Sequence, residues 1–135
     1  MEISEGHNII LDSSVWIAFL RGDDSQHERA KYLLRDLRHT AMVVPEYIMI
    51  EVATALKSKG YEEVAKKFVA EVIREEFPTF LSAGELATHT ATLFLEQHSD
   101  HLSFTDTALL VLSDEYRVIT FDKKLQKAIK RAHPS

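Results

Sequence analysis

Short apolar runs and apolar residues at helical spacing alternate along the whole chain. In HNIILD, Ile9, Ile10 and Leu11 stand in a row before a carboxylate, the pattern of a short buried strand. SSVWIAFLRG predicts a helix, with Ser13 or Ser14 as its N-cap and Gly22 as its stop. Asp24 to Arg38 reads as a second helix, because Ala30, Leu33, Leu34 and Leu37 fall on one face and Lys and Arg fill the other. AMVVP is a strand closed by Pro45. EYIMIEVATALKSKG is a helix closed by Gly60, with Tyr47, Ile48, Val52, Ala55 and Leu56 along one side. Glu62 to Arg74 is amphipathic and opens with two acids near the positive end of its dipole. FPTFL predicts an edge strand, since proline brings no ladder donor. Ser82 to Gln97 reads as a helix with a Ser82/Glu85 capping box. After the polar loop QHSDHLS come a helix in FTDTALLVLSDEY capped by Ser103 or Thr105, a strand in RVITFD, and a final helix in KKLQKAIKRA.

Strands that alternate with helices need crossover connections, which favours an α/β fold with a mainly parallel sheet of about four to five strands flanked by helices. No repeat, linker or low-complexity stretch divides the chain, so residues 1–135 are expected to form one domain. With 45% apolar and 27% charged residues the composition is that of a globular protein rather than a disordered one. The absence of cysteine excludes disulfides, thiolate zinc sites and a cysteine nucleophile. The apolar run near the start has no basic region ahead of it, and every apolar segment is broken by charge before it reaches bilayer length. A cytoplasmic protein without a membrane partner is expected.

Two predicted strands run into aspartate: Asp12 after IIL and Asp122 after VITF. In open α/β sheets ligands bind beyond the carboxyl ends of strands. Two further acids, Glu51 in YIMIEVATAL and Asp106 in LSFTDTALLVL, have apolar neighbours on both sides and are drawn toward the interior, where an unpaired carboxylate is costly. A bound cation offsets that cost. Each acid also has an ordinary reading: Asp12 and Asp122 as helix caps, Asp106 as a first-turn acid, Glu51 at a polar helix edge. It is the set of four that points to chemistry. Carboxylate ligands suit hard cations such as Mg²⁺ or Mn²⁺. The net charge of −5 argues against a nucleic-acid partner. With the four acids set aside as cation ligands only −1 remains, and Lys123, Lys124, Lys127, Lys130 and Arg131 are clustered near the end.

The segments IILDSSVWIAFL, PEYIMIEVATAL, LSFTDTALLVLSDEY and VITFDKKL, in this order, resemble the PIN-domain family, and within it the small VapC-type toxins of toxin–antitoxin pairs. The resemblance implies a metal-dependent endoribonuclease with Asp12, Glu51, Asp106 and Asp122 as ligands of Mg²⁺ or Mn²⁺, and with Ser13 and Thr120 assisting through their hydroxyls. It also implies RNA as substrate, products ending in 5′-phosphate and 3′-hydroxyl, a small antitoxin as partner, and a homodimer. Thr107 departs from the family, which often has alanine after the aspartate. The loop with His98 and His101 is unusually polar. A haloacid-dehalogenase-like phosphatase would need a second aspartate where Ser14 stands. A non-catalytic interaction module of this fold, or a housekeeping RNA-processing nuclease, is the alternative. Trp16 and Phe19 are candidates for base stacking, with core packing the simpler reading for Trp16. Arg21, Lys123, Lys124 and Lys127 are candidate phosphate contacts, with solvated surface cations as the simpler reading.

Overall fold

Four short strands form one parallel sheet in a computed structural model that describes residues 8–37, 40–74, 79–97 and 101–134. The strands are β1 (Ile9–Leu11), β2 (Met42–Pro45), β3 (Thr79–Leu81) and β4 (Arg117–Ile119), in the order β3-β2-β1-β4. The register pairs Ile10 of β1 with Val43 on one side and with Val118 on the other. Every residue of β1 and β2 is buried, as befits inner strands covered by helices on both faces. β3 lies at the edge, where its proline-containing segment was expected.

Helices α1 (Ser13–Leu20) and α2 (His27–Asp36) connect β1 to β2. α3 (Glu46–Ser58) and α4 (Glu62–Arg74) connect β2 to β3. α5 (Gly84–Glu96) and α6 (Phe104–Leu112) lead to β4, and α7 (Lys123–Ala132) follows it. α1 packs on α2 and α3, α3 on α4, and α6 on both α5 and α7. The helical face expected on α3 is real, with Ile48, Val52 and Leu56 fully buried. α3 ends at Gly60, whose φ of +89° suits glycine; the Tyr61 amide then donates back to the Leu56 carbonyl at 2.9 Å. Trp16 is 6% exposed and its ring lies 5.3 Å from that of Phe68, so it is a core residue and not a base-stacking one. No helix is long and apolar enough to cross a membrane among the described residues.

Four local expectations fail, each for a visible reason. β4 stops at Ile119 rather than running to Asp122, because Thr120 turns in to bond Asp12. α1 is capped by Asp12, not by Ser13 or Ser14. α2 begins at His27, since Asp24 first closes a turn by accepting from the Gln26 amide at 2.8 Å. α5 has no capping box: it starts at Gly84, and the Ala83 amide is taken by Glu46 Oε1 at 2.8 Å.

The strand order places a topological switch beside β1. From β1 the chain moves out to β2 and β3, then returns to add β4 on the opposite side. The carboxyl ends of β1 and β4 therefore lie at this switch point, the usual ligand position in open α/β sheets.

Candidate functional site

Asp12 occupies the end of β1 and is 3% exposed. Its Oδ1 accepts from the Ser13 amide at 2.7 Å, which caps α1. Its Oδ2 accepts from the Ser14 hydroxyl at 3.0 Å and from the Thr120 hydroxyl at 2.6 Å. A buried carboxylate so held is fixed in direction and has its charge partly compensated. Thr120 Oγ1 in turn accepts from the Asp122 amide at 2.9 Å, and Ser14 Oγ from the Phe121 amide at 3.1 Å. Two hydroxyls thus tie the β4–α7 loop to Asp12.

Ser14 is the residue that sequence reasoning missed. Periodicity offered it only as a helix cap. The available signal was the run of two serines directly after a strand-terminal aspartate.

Glu51 projects from the middle of α3, half-buried, and its Oε1 accepts from the Ser13 hydroxyl at 2.6 Å. Asp12 Oδ1 lies 3.4 Å from that same hydroxyl, so Ser13 stands between the two acids. Asp106 sits in the first turn of α6, where Ser103 caps the helix by accepting from the Asp106 amide at 3.0 Å. Asp106 is half-buried, and its carboxyl is pushed up from 3.8 to about 6. Burial is the main cause, followed by the negative charges of Asp12, Asp122 and Glu51. All four acids therefore act on one region. Asp122 is exposed and caps α7, its Oδ1 accepting from the amides of Lys124 at 2.8 Å and Leu125 at 3.3 Å. The family departure at Thr107 is absorbed locally: its buried hydroxyl donates to the Ser103 carbonyl at 2.8 Å and aims at no acid.

The donor chemistry is all oxygen: four carboxylates with the hydroxyls of Ser13, Ser14 and Thr120 about them. Such a set fits a hard divalent cation, and the burial and neighbouring negative charges that raise the Asp106 carboxyl are ones a cation would offset. Among the described residues no group of three or more His, Asp or Glu side chains is already drawn together as a metal site. His98 lies outside the described residues. His101 is exposed with φ of +53°, and its carbonyl accepts from Lys124 Nζ at 3.4 Å.

Of the candidate phosphate contacts, Arg21 is engaged, with its Nε 3.1 Å from Asp23 Oδ1. Lys123, Lys124 and Lys127 are exposed on α7. A cavity of about 940 Å³ lies between α1, α2 and α4, lined by Trp16, Phe19, Leu20, Tyr32 and Phe68 among others, and none of the four acids borders it. The chemistry is therefore assigned to the acids and not to this cavity.

The family described as PIN domain matches residues 9–131 of the chain. Among solved structures, the chain is similar to Mycobacterium tuberculosis VapC20, a Sarcin-Ricin loop cleaving toxin, with a TM-score of 0.77 over 89% of this chain and 94% of that one. Identity between the two is 19%, so the likeness is one of fold. No curated protein sequence matches the chain.

Proposed function

The chain belongs to the PIN-domain family, and from that premise we propose that it is a metal-dependent endoribonuclease whose Asp12, Glu51, Asp106 and Asp122 hold Mg²⁺ or Mn²⁺. The observation that carries this reading is the convergence of four carboxylates, from the end of β1, from α3, from α6 and from the cap of α7, beside the β1/β4 switch point. A cation held by these acids would supply polarisation of a phosphoryl oxygen and an activated water for in-line attack.

The chain's own residues supply the rest. Ser14 and Thr120 hold Asp12 in one orientation, and Ser13 sets the spacing of Asp12 and Glu51. Asp106 keeps its proton below about pH 6 and gives it up above, so the full anionic set forms only near neutrality. The products carry 5′-phosphate and 3′-hydroxyl ends.

We read residues 1–135 as one nuclease domain acting as the toxin of a type II toxin–antitoxin pair. The fold likeness to a toxin that cleaves the sarcin–ricin loop supports this role. Its partner is a small antitoxin that sets a basic side chain against the acids and so competes with the cation and the RNA phosphate. The chain also pairs as a homodimer in this reading; Val15, Trp16 and Leu37 are buried within the chain itself and offer it nothing. The exposed Ile50, Phe94 and Leu95 now offer the apolar surface for a dimer.

The test is RNA cleavage by the purified protein. EDTA should abolish it, and Mg²⁺ or Mn²⁺ should restore it. Cleavage that persists in EDTA, or returns with Zn²⁺ alone, overturns the all-oxygen site.

A further inference from the structure

Phe121 stands between Thr120, which bonds Asp12, and the cap residue Asp122. Its ring is covered by Arg29 of α2, whose guanidinium carbon lies 4.2 Å from the ring centroid. This contact joins α2 to the loop that carries one of the four acids.

Arg29 is exposed, and among the described residues it takes part in no ion pair. In this it differs from other cations of the chain: Arg21 is engaged with Asp23, Lys31 with Glu28, Lys66 with Glu62, and Arg74 with Glu71. A guanidinium carries its N–H donors in one plane, and a ring on one side of it leaves donors free for a further partner. Those donors match two phosphate oxygens at once. The ring also holds a long side chain in one orientation, so little freedom is left to lose when a ligand arrives. A chain of net charge −5 that must bring a polyanion to four carboxylates needs a cation that offsets part of the repulsion.

We infer that Arg29, held over the Phe121 ring beside the loop that carries Asp122, binds a backbone phosphate of the RNA strand and so sets where the strand enters the site. The inference rests on the nuclease reading for its ligand, and it adds a residue that the four acids and their hydroxyls do not include.

The experiment uses a short, labelled, mixed-sequence single-stranded RNA and the full chain. Affinity is measured against salt concentration in an Asp12→Asn background, where bound RNA stays uncut; cleavage is measured with Asp12 intact. Arg29→Gln should weaken binding about tenfold and make the slope of log affinity against log salt shallower by about 0.7, the loss of one phosphate contact to a single strand. It should raise KM while kcat stays within about twofold. Arg29→Lys should recover the salt slope but only part of the affinity, since lysine keeps the charge and lacks the fork. Lys66→Gln, which removes the same charge from an ion-paired site on α4, should leave the slope unchanged. If Arg29→Gln keeps the wild-type slope and affinity while the chain still cleaves, the inference is wrong and the nuclease reading stands. A reduced kcat with an unchanged slope likewise overturns it, because Arg29 then only steadies the loop. If the chain binds RNA through Arg29 but never cuts it, the nuclease reading fails and the phosphate contact survives.

Discussion

Removing the charge of Asp106 should stabilise the metal-free protein at neutral pH, and the size of the gain can be worked from its surroundings. Its carboxyl is raised from 3.8 to about 6 by burial and by Asp12, Asp122 and Glu51. At about 1.4 kcal/mol per tenfold change in proton affinity, that displacement corresponds to about 3 kcal/mol before screening. Asp106 is only half-buried, so screening by water reduces the figure to about 1–2 kcal/mol. The sign follows from linkage. The folded carboxyl holds its proton more tightly than the unfolded one, so stability falls as pH rises from about 4 to about 6, and the full cost is present above that. Urea unfolding in EDTA at pH 8 should therefore find Asp106→Asn more stable than wild type by about 1–2 kcal/mol, with the gain shrinking below pH 5. Mg²⁺ should reverse the order by stabilising wild type through ligation. If Asp106→Asn is no more stable than wild type at pH 8 in EDTA, then Asp106 does not sit among three like charges and the shared pocket is wrong.

Thr120→Val removes the donor to Asp12 and the acceptor of the Asp122 amide, and should cost about 1–3 kcal/mol in urea unfolding, with Thr120→Ser close to wild type. Trp16→Ala should cost about 3–5 kcal/mol, as expected for a core aromatic packed on Phe68; a loss under about 1 kcal/mol would return Trp16 to the surface. Expression of the chain alone should arrest bacterial growth, and Asp12→Asn at equal expression should not. Equal harmlessness would remove the toxin role, and equal toxicity would place the harm outside catalysis.

Much of this was legible in the chain because hydrophobic periodicity is a direct consequence of burial. Glu62–Arg74 appears in the fold with the bounds its amphipathic pattern gave, and IIL and VVP are fully buried strands. The local details that differed were decided by tertiary partners. Ser82 and Glu85 have the spacing of a capping box, yet Glu46, far away in sequence, claims the Ala83 amide. The pattern VITFD continues the alternation of a strand, but the bond from Thr120 to Asp12 ends β4 early and leaves Asp122 as an exposed cap. For the site, the four acids stood out because Asp12 and Asp122 follow apolar strand segments and Glu51 and Asp106 sit inside apolar stretches. What no periodicity carries is how they are held. Ser14 meets the Phe121 amide, and Arg29 meets the Phe121 ring from another helix, only after the sheet has brought β1 and β4 together.

The shared acidic site is tested most directly by RNA cleavage in Mg²⁺ with four single variants: Asp12→Asn, Glu51→Gln, Asp106→Asn and Asp122→Asn. Each keeps the size of the side chain, and asparagine at position 122 still caps α7. All four should fold like wild type by circular dichroism. The first three should lose cleavage by at least about 100-fold, and Asp122→Asn, exposed at the edge of the pocket, should lose less. Near-wild-type cleavage by a folded Asp12→Asn, Glu51→Gln or Asp106→Asn would contradict a single metal site built from these acids.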